Sequence, residues 1–317
     1  MRYCILEHQH KAKAYIDALK TYKYIAHRRT KWAKFLLIDF EWRGVFAGNG
    51  QYLRKQIIEA EAAHIPVFLY PHSVRPNIPF DLVDEQYEGT RALFTIAEGH
   101  KEVLKRIGYP CPIEVTGWTY TDIKPFKPRE VANRKIRVLF APIHPVGKGF
   151  LPADERELNA KTYNLLLGLM DKIHLTVRHI QPLEHNGLWA DSRVNYITGS
   201  FDGSTADMDK ADVVIAAFTY SYMAVALGHP LIMLGDGIRS HNSPRKDGKL
   251  IYAKNWEKYR DYTRYPFEIE SCTTSADLMD LILAANWKND AVDDWKRRFI
   301  GKPFDAQRFV KTLESYL

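Results

Sequence analysis

The chain has 317 residues, 46% of them hydrophobic and 26% charged, which is the composition of a soluble globular protein large enough for two domains. No apolar run reaches the roughly 18 residues that a membrane helix needs, and the three scattered cysteines form neither a disulfide framework nor a metal motif. We therefore expect a cytoplasmic protein without a transmembrane segment. The formal net charge of +7 favours anionic partners such as nucleotides, nucleic acid or phosphorylated glycans.

The first part of the chain alternates apolar strand patterns with helical ones. Strands are predicted at residues 2–6, 35–40, 67–70, 93–97 and 113–116, and helices at residues 12–24, 51–64 and 100–107. Strands that alternate with helices are typical of a doubly wound parallel sheet. Residues 1–120 are therefore predicted to form an N-terminal Rossmann-like domain. Residues 121–134 are polar and carry two prolines, so they are predicted to be a linker with a hinge.

The same pattern begins again after the linker. Strands are predicted at residues 136–141, 175–180, 194–197, 213–216 and 231–234, with a helix at residues 161–172. Residues 135–300 are thus predicted to be a second domain of the same type, and residues 301–317 a helix that packs back on the first domain. The predicted fold class is α/β, with two facing Rossmann-like, doubly wound domains.

The segment 213–234 carries the clearest local signal. A buried strand, a turn with the hydroxyls of Thr219 and Ser221, a short helix, and a second apolar strand after Gly228 and Pro230 form a βαβ unit, whose strands should be parallel. Backbone N–H groups at the start of such a helix bind phosphate well. An ordinary βαβ unit with a capping threonine is the alternative interpretation.

A glycine-containing loop follows the first strand of the second domain. Ligands of open parallel sheets bind outside the carboxyl ends of the strands, which is where this loop lies. Gly147 and Gly149 let the backbone approach a phosphate, and His144 or Lys148 would neutralise it. The loop lacks the Walker pattern of P-loop kinases. A simple glycine turn between strand and helix is the alternative.

Other polar residues also follow predicted strands. Arg178 and His179 form a cationic pair that suits a diphosphate, with plain surface polarity as the alternative. In the first domain, His72 is a candidate general base, because imidazole exchanges protons near neutral pH. Asp39 and Glu41 share one face of an extended segment, and either would deprotonate an acceptor hydroxyl or orient a substrate. Capping or salt-bridge roles remain open for both.

One Asp-x-Asp pair, Asp207 and Asp209, precedes a strand at its amino end. This position lies away from the expected ligand edge, so we interpret the pair as a solvated turn. Neither a metal site nor a cofactor is expected.

Several of these motifs resemble those of CDP-glycerol glycerophosphotransferase-like proteins. Val115–Asp122 resembles their Gly-x-x-x-x-Asp joint, and Val138–Pro142 their Tyr-Ala-Pro strand. Their His-Gly-Thr motif falls near residues 71–73, their second histidine near residues 178–179, and their Asp-Tyr-Ser-Ser turn on residues 216–219. The resemblance covers about residues 65–235.

The chain departs from that pattern at three positions. Ala216 stands for the Asp of the turn, Phe218 for its first Ser, and Ser73 for the Gly after the first histidine, which leaves Thr219 as the matching hydroxyl. These departures weaken the case for CDP-glycerol as the donor.

The resembled proteins share the GT-B architecture with nucleotide-sugar 2-epimerases and many glycosyltransferases. The resemblance implies a metal-independent glycosyltransferase that moves a sugar from a nucleotide-sugar donor to a hydroxyl of a nucleic acid or a glycan, DNA modification included. The second domain would bind the nucleotide and the first the acceptor. The alternatives are a CDP-glycerol-type polyol-phosphate transferase and a non-catalytic nucleotide-binding module.

Overall fold

The computed structural model describes residues 2–6, 9–26, 32–39, 58–71, 90–106, 108–109, 111–130, 134–144, 151–199, 204–235, 245–246, 249–250 and 262–317. The chain divides into two compact units. Unit 1 comprises Met1–Thr121, Ala253–Asn255 and Arg297–Leu317, and unit 2 comprises Asp122–Tyr252 and Trp256–Lys296.

Unit 1 is built on a six-stranded sheet. Its elements in chain order are β1 (Arg2–Leu6), α1 (Gln9–Thr21), β2 (Ile25–Ala26), β3 (Leu36–Asp39), β4 (Val67–Tyr70), β5 (Thr90–Thr95), α2 (Glu98–Arg106) and β6 (Ile113–Val115). The strands lie in the order β2-β1-β3-β4-β5-β6 and every neighbouring pair is parallel, as the alternating sequence pattern predicted. A further helical stretch occupies residues 58–62.

Both faces of this sheet are buried. Phe35 and Leu37 point into a cluster rich in aromatic side chains, whereas Leu36 and Ile38 point into an aliphatic one. Successive strand residues face opposite sides, so a continuous apolar run is what a strand covered on both faces requires.

Unit 2 contains a five-stranded sheet with the order β11-β10-β7-β8-β9, again parallel throughout. Its elements in chain order are β7 (Ile136–Ala141), α3 (Ala153–Leu167), β8 (Ile173–His179), β9 (Asn195–Thr198), α4 (Ser204–Asp209), β10 (Val213–Ala216), α5 (Phe218–Ala226) and β11 (Leu231–Met233). The parallel pairing of β10 with β11 confirms the βαβ unit predicted there.

The chain continues with a short antiparallel pair, β12 (Arg245–Lys246) and β13 (Lys249–Leu250), and then with α6 (Ser275–Ala285), α7 (Asp290–Phe299) and α8 (Ala306–Ser315). In unit 1, the Phe309 ring of α8 lies edge-on to Tyr15 at 5.0 Å and to Phe94 at 4.9 Å between ring centroids. No helix in the described ranges is long and apolar enough to cross a membrane.

Two local predictions differ from the structure. The helix expected at residues 161–172 begins at Ala153, directly after Pro152 and with Asp154 and Glu155 in its first turn, which are ordinary signals of a helix start. The Asp-x-Asp pair expected in a solvated turn lies in α4. Its Asp207 side chain is only 13% exposed and forms an ion pair with Arg178. The contact with Arg178, 29 residues away in the chain, accounts for the burial of Asp207, and a local sequence pattern does not contain it.

Candidate functional site

The carboxyl ends of the unit 2 strands lie at one edge of the sheet because all five strands are parallel. His144 follows β7, His179 ends β8, Gly199 follows β9, and α5 begins two residues after β10. Open parallel sheets bind their ligands at this edge. Four candidates from the sequence, His144, His179, Thr219 and Ser221, are therefore placed on it or directly beside it.

The start of α5 lacks a side-chain cap. Ala217 occupies the N-cap position in extended conformation (φ −113°, ψ 163°), and alanine has no polar atom to offer the N–H groups of the first turn. Thr219 lies in that turn and is partly exposed, whereas Ser221 is fully buried. The helix start therefore presents backbone N–H groups and the positive end of the helix dipole, with Thr219 as the hydroxyl beside them.

Arg178 packs against the first turn of α5. Its side chain is 3% exposed, its Nε donates to Asp207 Oδ2 at 2.9 Å, and its guanidinium carbon lies 5.6 Å from the ring centroid of Tyr220, in the first turn of α5. A Cβ on Gly199 would approach Arg178 Nη2 to 3.1 Å, so the glycine leaves room for the guanidinium. Burial raises the pKa of Tyr220, which keeps its hydroxyl protonated.

His179 makes a different set of contacts. Its Nδ1 lies 2.9 Å from the carbonyl oxygen of Gln181, which only accepts, so Nδ1 carries a proton and donates. Its Nε2 lies 3.2 Å from Thr198 Oγ1, and in the neutral ring it accepts from that hydroxyl. Arg178 and His179 are successive strand residues and point to opposite faces of the sheet. The structure places them in two separate contact networks.

Asn159 on α3 lies beside the candidate site and is absent from the candidates that the sequence offers. It is fully buried, and its amide bonds the backbone of Ile143, the residue before His144, and that of Asn186, in a 3-10 turn (Leu183–Asn186) after β8. A signal was present, because polar Glu155, Asn159 and Thr162 recur at helical spacing on the buried face of α3. A polar residue on a buried helix face needs a partner, and here the partners are two loops of the site.

The remaining candidates are only partly covered by the structure. His72, Glu41, Gly147, Lys148 and Gly149 lie outside the described residues. Asp39 is the last residue of β3 in unit 1, and the description there extends to the backbone alone. In the described ranges, no three His, Cys, Asp or Glu side chains form a group that could hold a metal ion.

Neither protein-family models nor curated proteins match the sequence. Solved structures do match the fold. MurG from Acinetobacter baumannii is 12% identical, with 99% of each chain covered and a TM-score of 0.54. The apo form of the lipopolysaccharide outer core galactosyltransferase WaaB is 11% identical, with 100% of each chain covered and a TM-score of 0.53.

The glycosyltransferase SnogD from Streptomyces nogalater is also similar, with 13% identity, 99% of each chain covered and a TM-score of 0.50. Identities this low concern the fold alone. The matches nevertheless cover whole chains, and this chain contains two parallel sheets. The chain therefore has the two-domain α/β fold of GT-B glycosyltransferases.

Proposed function

We propose that the protein is a glycosyltransferase that moves a sugar from a nucleotide-sugar donor to a hydroxyl acceptor. The observation that carries the proposal is the α5 start at the carboxyl edge of the unit 2 sheet, where Ala217 leaves the first-turn N–H groups without a side-chain cap and Thr219 adds a hydroxyl. A diphosphate suits this position because backbone N–H donors and the helix dipole both favour negative charge.

The proposed reaction develops negative charge on the diphosphate that leaves the sugar. As the bond between the sugar and the diphosphate breaks, negative charge accumulates on the leaving oxygen, and fixed N–H donors at the α5 start stabilise it. His144 and His179, together with Gly147, Lys148 and Gly149 from the sequence, are the further donor-site candidates. This arrangement supplies positive potential from the protein itself, so the reaction is proposed to proceed without an obligatory metal ion. Activity that persists in excess chelator would support this, and its complete loss would contradict it.

The acceptor is proposed to be an anionic polymer, a nucleic acid or a phosphorylated glycan, in keeping with the net charge of +7. Its hydroxyl must lose a proton as the oxygen attacks the anomeric carbon, and His72 is the proposed base, with Asp39 and Glu41 as rivals. His72→Ala should lower kcat by about 10²- to 10⁴-fold and leave donor affinity nearly unchanged. If His72→Ala keeps wild-type turnover and Asp39→Asn abolishes it, Asp39 is the base.

A ligand panel tests the donor assignment. We expect one of UDP, GDP, CDP or ADP, or one of their sugars, to raise the melting temperature, since a ligand that binds only the folded state stabilises it. Transfer from a sugar nucleotide supports the proposal. Turnover of CDP-glycerol instead would assign a polyol-phosphate transferase, and tight binding without turnover on any acceptor tested would assign a nucleotide-binding module. The absence of binding to every member of the panel would overturn the donor site.

A further inference from the structure

One buried amide ties together two segments at the carboxyl edge of the unit 2 sheet. Asn159 Oδ1 accepts from the Ile143 backbone N–H at 2.9 Å, and its Nδ2 donates to the carbonyl oxygens of Ile143 at 2.8 Å and Asn186 at 2.9 Å. Both amide protons of Asn159 are used. The segment that leaves β7 and the turn after β8 are thus fixed to α3, and so to each other, by a single side chain.

Further contacts fix the same turn. The Leu151 N–H donates to the carbonyl oxygen of His185 at 3.2 Å. Gly187, just after the turn, has a positive φ of 77° and packs so closely on α3 that a Cβ there would lie 2.9 Å from the carbonyl oxygen of Arg156. Ile143 and Leu151 are therefore both anchored at the Leu183–Asn186 turn.

The turn also buries a polar side chain. The Asn186 side chain is fully buried, and neither its Nδ2 nor its Oδ1 has a hydrogen-bond partner in the part of the chain that the structure describes. The bond from Asn159 to the Asn186 carbonyl holds the backbone of this buried residue in place.

We propose that Asn159 is a positioning residue of the donor site, which holds His144 and the Leu183–Asn186 turn in the arrangement that receives the nucleotide. This inference rests on the proposed function. Asn159 is proposed to act through the backbone that it holds and not through contact with the ligand. Its loss should therefore raise the Kd of the nucleotide and the KM of the donor, and leave the KM of the acceptor unchanged.

The test compares two substitutions of Asn159 with a control on the same helix. Asn159→Asp keeps the size and the acceptor for Ile143 but sets a carboxylate oxygen against two carbonyl oxygens. Asn159→Ala removes the whole amide and serves if the aspartate variant does not fold. Thr162→Val is the control, because the Thr162 hydroxyl is also buried on α3, and its partner among the described residues is the Leu158 carbonyl of its own helix. Nucleotide affinity is measured by calorimetry well below the melting temperature of each variant. The rate of hydrogen exchange at the Ile143 amide is measured separately, without ligand.

We expect the Asn159 variants to bind the best nucleotide on the order of 10- to 10²-fold more weakly than the wild type, because a displaced loop loses hydrogen bonds to the charged ligand. Thr162→Val should bind like the wild type, and Asn159→Ala should speed exchange at Ile143. Wild-type affinity in both folded Asn159 variants would overturn the inference, as would a loss that Thr162→Val shares. A wild type that binds no nucleotide, while Asn159→Ala still loosens Ile143, would show that the proposed function is wrong and the inference with it.

Discussion

The two edges of the unit 2 sheet differ in how their polar groups are satisfied. At the amino edge, the Asp212 side chain is fully buried and accepts hydrogen bonds from Arg134 at 2.5 and 2.9 Å and from the Arg137 guanidinium at 2.8 Å. At the carboxyl edge, α5 begins without a side-chain cap. The amino edge therefore satisfies its charged groups within the fold, whereas the α5 start at the carboxyl edge is the proposed place of the ligand.

The segment after Thr121 completes the amino edge. The Lys124 N–H donates to the Ala226 carbonyl at 2.7 Å, and Arg129 donates to the Ala211 carbonyl. His229 Nε2 lies 3.1 Å from Asp209 Oδ1, and its Nδ1 lies 3.3 Å from Arg129. Part of the predicted linker is therefore packed on unit 2. In the proposed function, the amino edge of the sheet serves stability and the carboxyl edge serves binding.

The largest expected effect is on stability and concerns the amino edge. Asp212→Ala leaves two arginines without their shared carboxylate and should lower the free energy of unfolding by about 3 kcal/mol. This value is at the lower end of the stability losses that follow from breaking a buried ion pair. The side chains of Arg134 and Arg137 are 43% and 48% exposed, so water can solvate them once the carboxylate is gone. Denaturant unfolding measures the loss. Nucleotide affinity at low temperature is the control, and a large drop there would mean that the two edges are not separate.

The same carboxylate predicts a pH dependence. Burial alone would raise the pKa of Asp212, but hydrogen bonds from Arg134 and Arg137 lower it well below its ordinary value. A carboxyl group whose pKa is lowered by folding stabilises the protein at pH values above its unfolded-state pKa, which is near 3.9. This stabilisation is lost as the pH falls below that value. The stability difference between the wild type and Asp212→Asn should therefore shrink below about pH 3.9, by at most about 1.4 kcal/mol per pH unit. A difference that stays constant from pH 5 to pH 3 would contradict this account.

What the sequence could predict follows from the range over which each signal acts. The strands were predicted because a buried parallel strand is a continuous apolar run, as at Val213–Ala216, and the α5 start because Thr219 follows such a run. The side-chain ties were not predicted. Arg134 bonds Asp212 across a sequence separation of 78 residues, and Asn159 bonds Asn186 across 27. A local sequence pattern does not contain contacts of this range. The roles of the candidate site residues, His72 among them, stay predictions.

The next effect concerns binding at the carboxyl edge. Thr219→Val keeps the shape of the side chain and removes its hydroxyl from the α5 start. A hydrogen bond to a charged group is worth about 1.5–3 kcal/mol, so affinity for the best nucleotide should fall roughly 10- to 150-fold with little change in stability. Thr273→Val is the matched control, because Thr273 directly precedes the N-cap residue of α6 and its hydroxyl bonds Asp277. Equal affinity in the wild type and Thr219→Val, measured by calorimetry, would remove Thr219 from the site.

The smallest effect comes from adding the cap that α5 lacks. Ala217 has the extended backbone of an N-cap residue, so the serine of Ala217→Ser would bond the Thr219 or Tyr220 N–H and stabilise the protein by about 1 kcal/mol. That oxygen would occupy the place proposed for the diphosphate, so nucleotide affinity should fall about 5-fold if a similar energy is lost. The control is α6, where Thr274 and Asp277 already form a capping box, and Thr274→Ala should lower stability by about 1 kcal/mol without touching affinity. Stability and affinity that rise together in Ala217→Ser would mean that the N–H groups at the α5 start do not hold the nucleotide.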